Sequence, residues 1–126
     1  MPRILLVDDD DLSRTTVHQM LERAGYEVRS VSSGREALES YLTDPTDLVV
    51  TDLIMPDTDG LELIQELRKR RPGARILAIS GGGRVNANEY LTVAQKFGAA
   101  GILTKPFSNQ ELREAVSGIL TKGSIG

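Results

Sequence analysis

Three short stretches are apolar at nearly every position: RILLV at Arg3–Val7, LVVT at Leu48–Thr51 and RILAIS at Arg75–Ser80. An apolar run of that length without alternation fits a strand covered on both faces. Strands covered on both faces belong to parallel sheets, in which each crossover lays a helix against one side. The intervening segments supply such helices. Leu63, Ile64 and Leu67 recur at helical spacing, and Leu112, Ala115, Val116, Ile119 and Leu120 form a full i, i+3, i+4, i+7, i+8 stripe.

Boundary residues divide the rest of the chain. A first helix is expected over about Leu12–Ala24, capped by Asp10 or Asp11 and closed by Gly25 in a left-handed turn. Tyr26–Val31 reads as a short, more exposed strand near a sheet edge. A second helix follows a cap at Ser32 or Ser33 and runs through Tyr41. The third helix, about Leu61–Arg70, places its basic residues where the dipole favours them, before Pro72-Gly73 stops it. A fourth is expected over about Ala87–Phe97, then a strand at Gly101–Thr104. A last helix opens on the capping box Ser108 and Glu111, with fraying expected from Thr121. Alternation of five strands and five helices implies a doubly wound α/β domain with right-handed crossovers.

Each apolar strand delivers a polar residue at its C-terminal end. Arg3–Val7 is followed by Asp8 and Asp9, Leu48–Thr51 by Asp52; Ser80 closes the fourth strand, and Lys105 follows the fifth. Open α/β sheets bind ligands outside the carboxyl ends of their strands, at the switch point. If the strand order is 2-1-3-4-5, that point lies between the first and third strands, and Asp8, Asp9 and Asp52 would converge there beside Ser80 and Lys105. Three carboxylates in one cleft repel one another unless a cation sits among them. An oxygen-only donor set without His or Cys favours Mg²⁺, here between Asp9 and Asp52. Asp52 is then placed as a nucleophile that forms an acyl phosphate. Lys105 can pair with phosphoryl oxygens, and Ser80 can donate its hydroxyl.

The pieces LLVDD at Leu5–Asp9, VTDLIMPDTDG at Val50–Gly60, Ser80, and LTKPF at Leu103–Phe107 occur in order, each at a strand end. Over about Arg3–Leu120 the chain resembles the receiver domain of two-component response regulators. The resemblance implies a flavodoxin-like (βα)5 fold in the order 2-1-3-4-5. It implies that Asp52 is the phosphoacceptor and that Asp8 and Asp9 are the acidic Mg²⁺ pair, with the Ile54 carbonyl as a further ligand. Ser80 takes the role of the switch hydroxyl and Lys105 that of the phosphate-pairing lysine, followed by a cis peptide at Pro106. Ile102 stands where the family often has Tyr or Phe as a rotating switch. The implied donor is a phosphohistidine of a sensor histidine kinase or histidine phosphotransfer protein, with small acyl phosphates as substitutes. The implied output is a downstream protein target or effector domain, or a homodimer through the helix 4–strand 5–helix 5 face.

Two other functions fit parts of the sequence. A pseudo-receiver would keep the fold only for protein binding. A haloacid-dehalogenase-type phosphohydrolase would use Asp8-x-Asp10, but that reading leaves Asp52 and its MPDTDG turn unexplained. A receiver would assist its own phosphorylation and dephosphorylation and would not turn over an external substrate.

Composition excludes several alternatives. With 15 Lys+Arg against 18 Asp+Glu, the net charge of -3 offers no electrostatic footprint for nucleic acid. The chain has no cysteine, so disulfides and thiolate metal sites are excluded. The apolar runs are too short to span a membrane, and MPRILLVDDD reaches acids too early for a signal peptide. A cytoplasmic location is expected, with residues 1–121 as one receiver domain and 122–126 as a short tail. The remaining conspicuous residues have plain structural readings. His18 is expected to be solvated beside Arg14 and Glu22, and Asp57 and Asp59 to serve turn polarity and capping. Arg68–Arg71 reads as a helix end, and Tyr90 and Phe97 as packing residues. Three glycines after Ser80 lower the cost of rearrangement, so Gly81–Asn88 is expected to be the most flexible internal segment.

Overall fold

The computed structural model describes residues 2–53, 60–80 and 87–125, with side chains at 87–91 and 122–125 left aside. The elements, in order, are β1 (Arg3–Val7), α1 (Asp11–Arg23), β2 (Glu27–Val31), α2 (Gly34–Thr43) and β3 (Leu48–Asp52), then α3 (Gly60–Arg70), β4 (Ile76–Ser80), α4 (Ala87–Lys96), β5 (Gly101–Thr104) and α5 (Asn109–Ile125). All four strand pairings are parallel, and the sheet order is β2-β1-β3-β4-β5, as expected. The more exposed strand β2 lies at one edge.

The alternation of side chains along each strand divides the core in two. Leu5, Val7, Val49, Ile76 and Ala78 pack on one face with Ala37 and Tyr41 of α2, Leu63, Ile64 and Leu67 of α3, and Ala94 of α4. Ile4, Leu6, Leu48, Val50, Leu77 and Ile79 pack on the other with Val17 and Leu21 of α1 and Leu112, Val116 and Ile119 of α5. Because both sheet faces are covered, the inner strands can be apolar throughout. Among the described residues no helix is long and apolar enough to cross a membrane.

The caps follow local chemistry. Asp10 caps α1 by accepting the Ser13 N–H at 2.8 Å. Ser33, rather than Ser32, caps α2 through the Glu36 N–H. Ser108 and Glu111 form the reciprocal capping box of α5. Gly25 closes α1 with φ 98°, a conformation that costs glycine little. Helix α5 runs to Ile125, beyond the Leu112–Leu120 stripe. One expectation needs correction. Phe97, expected to pack, is 38% exposed just beyond the end of α4. The segment expected to be most flexible, Gly81–Asn88, lies largely outside the described residues, as do the side chain of Tyr90 and residues Asp57 and Asp59.

Two contacts brace the frame at opposite ends of the strands. At the N-terminal end, Arg3 binds Asp44 through both terminal nitrogens (3.0 and 2.9 Å), and Arg29 binds the same carboxylate at 3.1 Å. Hydrogen bonds from the two arginines hold the Asp44 carboxyl down at about 2. At the C-terminal end, Gly60 donates its N–H to the Leu53 carbonyl at 3.0 Å. A Cβ there would lie 2.4 Å from the Asp52 carbonyl oxygen and 2.5 Å from Leu53 Cα.

Gly60→Ala is therefore expected to lower the unfolding free energy by ~1–3 kcal/mol, since backbone has to yield; urea melts check it. Asp44 makes a pH prediction. Its folded pKa lies below the unfolded value, so its contribution is present above about pH 4 and is lost as the pH falls toward about 2. Asp44→Asn should flatten the stability–pH curve in that acid window. The difference should shrink in high salt, because the cluster is exposed. Acid titrations of unfolding at two salt concentrations measure both effects.

Candidate functional site

The parallel register brings the chemistry-bearing residues to one edge. Val7 lies beside Thr51, Asp52 beside Ile79, and Ser80 beside Thr104. Asp8, Asp52, Ser80 and Lys105 therefore stand at the C-terminal ends of four different strands.

Asp8 is buried, with 3% of its surface exposed. Its N–H extends the β1–β2 ladder to the Val31 carbonyl at 3.2 Å. One carboxylate oxygen, Oδ1, accepts the Asp10 N–H at 3.0 Å. Its backbone carbonyl accepts from Arg14 Nη1 at 2.8 Å, and Arg14 is itself held by Asp11 at 2.5 Å. The remaining oxygen, Oδ2, lies 3.6 Å from Lys105 Nζ. Lys105 also donates to Asp52 Oδ2 at 3.3 Å and to Ser13 Oγ at 2.9 Å. Its backbone N–H binds the Ser80 carbonyl at 2.9 Å, which ties it to the end of β4. The Lys105–Pro106 peptide is cis, as expected.

The structure thus brings Asp8, Asp52 and Lys105 into contact, with Ser80 at the neighbouring strand end. Ser80 is fully buried, and its Oγ has no hydrogen-bond partner among the described residues. A buried hydroxyl left without a partner is costly. Asp9 is exposed, and no described contact joins it to the others. Ile54 lies outside the described residues. Among the described residues, no three His, Cys, Asp or Glu side chains gather as a metal centre. Asp8, Asp52 and Lys105 carry two negative charges and one positive. That net anionic set offers only oxygen donors, which fits Mg²⁺; this ion needs one or two carboxylates and keeps its waters. Ile102 is partly buried against the face of the core that carries α2, α3 and α4.

His18 is not the solvated residue expected. It is half-buried, shares a 2.5 Å hydrogen bond between Nδ1 and Ser30 Oγ of β2, and places Nε2 3.3 Å from Glu22. The neighbouring strand covers the helix face that sequence spacing alone leaves open. None of its described contacts reaches Asp52 or Lys105. Ser13 and Arg14 are the site residues that sequence reasoning missed. Arg14, six residues beyond Asp8, could be found by asking which side chain can reach back to the end of β1. Ser13 has no such local signal.

Comparison with known proteins places these features in context. The family described as response regulator receiver domain matches residues 4–117. The chain is 36% identical over 124 residues to the alkaline phosphatase synthesis transcriptional regulatory protein PhoP of Bacillus subtilis, covering 98% of this chain and 50% of that protein. It is 34% identical over 119 residues to the chemotaxis protein CheY of Halobacterium salinarum, covering 94% and 97%. The chain thus spans half of one relative and nearly all of the other. The crystal structure of a response regulator receiver domain protein from Clostridium thermocellum superposes with a TM-score of 0.90 at 28% identity, covering 99% and 98% of the two chains.

The orphaned hydroxyl yields a stability prediction. Ser80→Ala is expected to leave the unfolding free energy unchanged or to raise it by up to ~1 kcal/mol, since it removes a desolvated group that makes no bond among the described residues. Denaturant melts test this; a loss above about 1 kcal/mol would mean that the hydroxyl has a partner in the folded chain.

Proposed function

The chain belongs to the response regulator receiver domain family, and on that premise we propose that it is a phosphorylatable switch with Asp52 as its phosphoacceptor. The observation that carries the reading is Lys105 Nζ set 3.3 Å from Asp52 Oδ2 and 3.6 Å from Asp8 Oδ2. A cation fixed beside a nucleophilic carboxylate is what phosphoryl transfer requires, because that reaction is mostly positioning and charge stabilisation.

In the proposed step, a carboxylate oxygen of Asp52 attacks the phosphorus of a phosphohistidine. The P–O bond of an acyl phosphate forms, the P–N bond breaks, and the imidazole leaves. The donor is the phosphohistidine of a sensor histidine kinase or a histidine phosphotransfer protein. Lys105 pairs with one phosphoryl oxygen and Ser80 donates its hydroxyl to another, giving that buried group the partner it lacks among the described residues. Asp8, Asp9, Asp52 and the Ile54 carbonyl would hold Mg²⁺, which when bound supplies charge neutralisation and orientation of the phosphoryl oxygens. The bonds from Asp10 and Arg14 keep Asp8 in one orientation for that role.

Engagement of Ser80 biases the end of β4 and the loop after it. Ile102, one strand over and partly buried, can respond by a change of rotamer in place of an aromatic flip. A downstream protein target or effector domain reads the α4–β5–α5 face, or that face pairs two copies of the chain. The protein works in the cytoplasm, does not bind nucleic acid directly, and turns over no external substrate. A phosphohydrolase using Asp8 and Asp10 is disfavoured, because the Asp10 carboxylate is engaged in capping α1.

Incubation with acetyl phosphate and Mg²⁺, read by intact-protein mass spectrometry, is expected to give one hydroxylamine-labile phosphoryl adduct. The adduct should be absent from Asp52→Asn and from the metal-free sample. Absence of an adduct together with absence of beryllofluoride binding would identify a pseudo-receiver instead.

A further inference from the structure

Lys105 is a long, flexible side chain that has to hold its ammonium at one point. Lysine side chains carry about 2 kcal/mol of rotamer entropy, so a fixed position needs more than one anchor. The shortest of its three contacts is not to a carboxylate. Ser13 Oγ accepts from Nζ at 2.9 Å, against 3.3 Å to Asp52 and 3.6 Å to Asp8. Ser13 is half-buried and is itself fixed, because its backbone N–H is the one bound by the capping Asp10. Asp10 in turn donates its N–H to Asp8 Oδ1, and the next residue, Arg14, grips the Asp8 carbonyl. The first turn of α1 is thereby locked to the end of β1, and it presents one hydroxyl to a lysine 92 residues away.

The three anchors differ in what phosphorylation does to them. Asp52 exchanges a carboxylate for an acyl phosphate, and Asp8 faces whatever cation the site takes up. Ser13 is neutral, and its bond to Lys105 does not depend on either charge. Building on the phosphoacceptor reading above, we infer that Ser13 is a positioning residue: it holds the Lys105 ammonium over Asp52 before, during and after phosphoryl transfer.

Ser13→Ala, Ser13→Thr, Lys105→Ala and the Ser13→Ala/Lys105→Ala pair test this. The expected result is a roughly tenfold slower phosphorylation of Ser13→Ala by acetyl phosphate and Mg²⁺, the size of a lost hydrogen bond to a charged group. Beryllofluoride binding should weaken in parallel, and Ser13→Thr should recover most of both. In the Lys105→Ala background, Ser13→Ala should add nothing, which a general loss of stability would not produce. Relaxation of the Lys105 ¹³Cε signal should show a more mobile side chain in Ser13→Ala than in the unaltered protein. Unchanged rates and unchanged Lys105 mobility would overturn the inference, as would additive losses in the double variant. If the unaltered protein takes up neither phosphoryl group nor beryllofluoride, the phosphoacceptor reading fails. The Lys105 mobility then decides the role of Ser13 by itself.

Discussion

Like charges cannot be gathered at the edge of an apolar sheet without something to hold them there. Asp8 is nearly sealed from solvent, and it shares one ammonium with Asp52. Burying a carboxylate is tolerated only when it is paired and hydrogen-bonded. Asp8 meets both conditions through Lys105, the Asp10 N–H, and the Arg14 bond that fixes its backbone. Those partners come from β5 and the start of α1, so the site depends on elements far apart in sequence being docked in one register. The two-faced core supplies that docking: α1 and α5 cover one side of the sheet, and α2, α3 and α4 the other.

The fold was legible because burial on both faces leaves an unusual mark, the apolar run without alternation. β1 and β5 match their sequence-based limits, and β3 runs one residue further, to Asp52. The pairing of strands was less directly written; it rests on the resemblance carried by the strand-end motifs, and the parallel ladders bear it out. Helix ends were legible where a side chain caps its own backbone, as at Asp10, Ser33 and Ser108. They were less so at α5, where no side-chain cap among the described residues marks the C-terminal end and the helix runs on past its apolar stripe to Ile125.

The site divides along the same line. Asp8, Asp52, Ser80 and Lys105 are found from sequence because each stands at the C-terminal end of a strand, and the sheet topology converts that into proximity. Ser13 escapes because its partner lies on another element, and nothing in a first-turn serine distinguishes a cap neighbour from a site residue. His18 was misjudged for a related reason. Helical spacing gave Glu22 as a neighbour, but Ser30 of β2 is reached only once the strand is laid beside the helix. Contacts within one element are readable from spacing, whereas contacts between elements need the assembled sheet.

The bonds joining Asp8, Asp10, Ser13 and Arg14 have an engineering consequence. Residues 8–14 form an inseparable cassette: the strand end supplies the carboxylate, and the helix start supplies its orientation and an anchor for the distant lysine. A chimaera that swaps α1 for the first helix of another protein at the strand–helix junction breaks this cassette, even if every acid and the lysine are retained. Moved as a block with β1, the same segment carries its geometry along. The natural seam for recombination therefore lies after the first turn of α1, inside an element that looks indivisible.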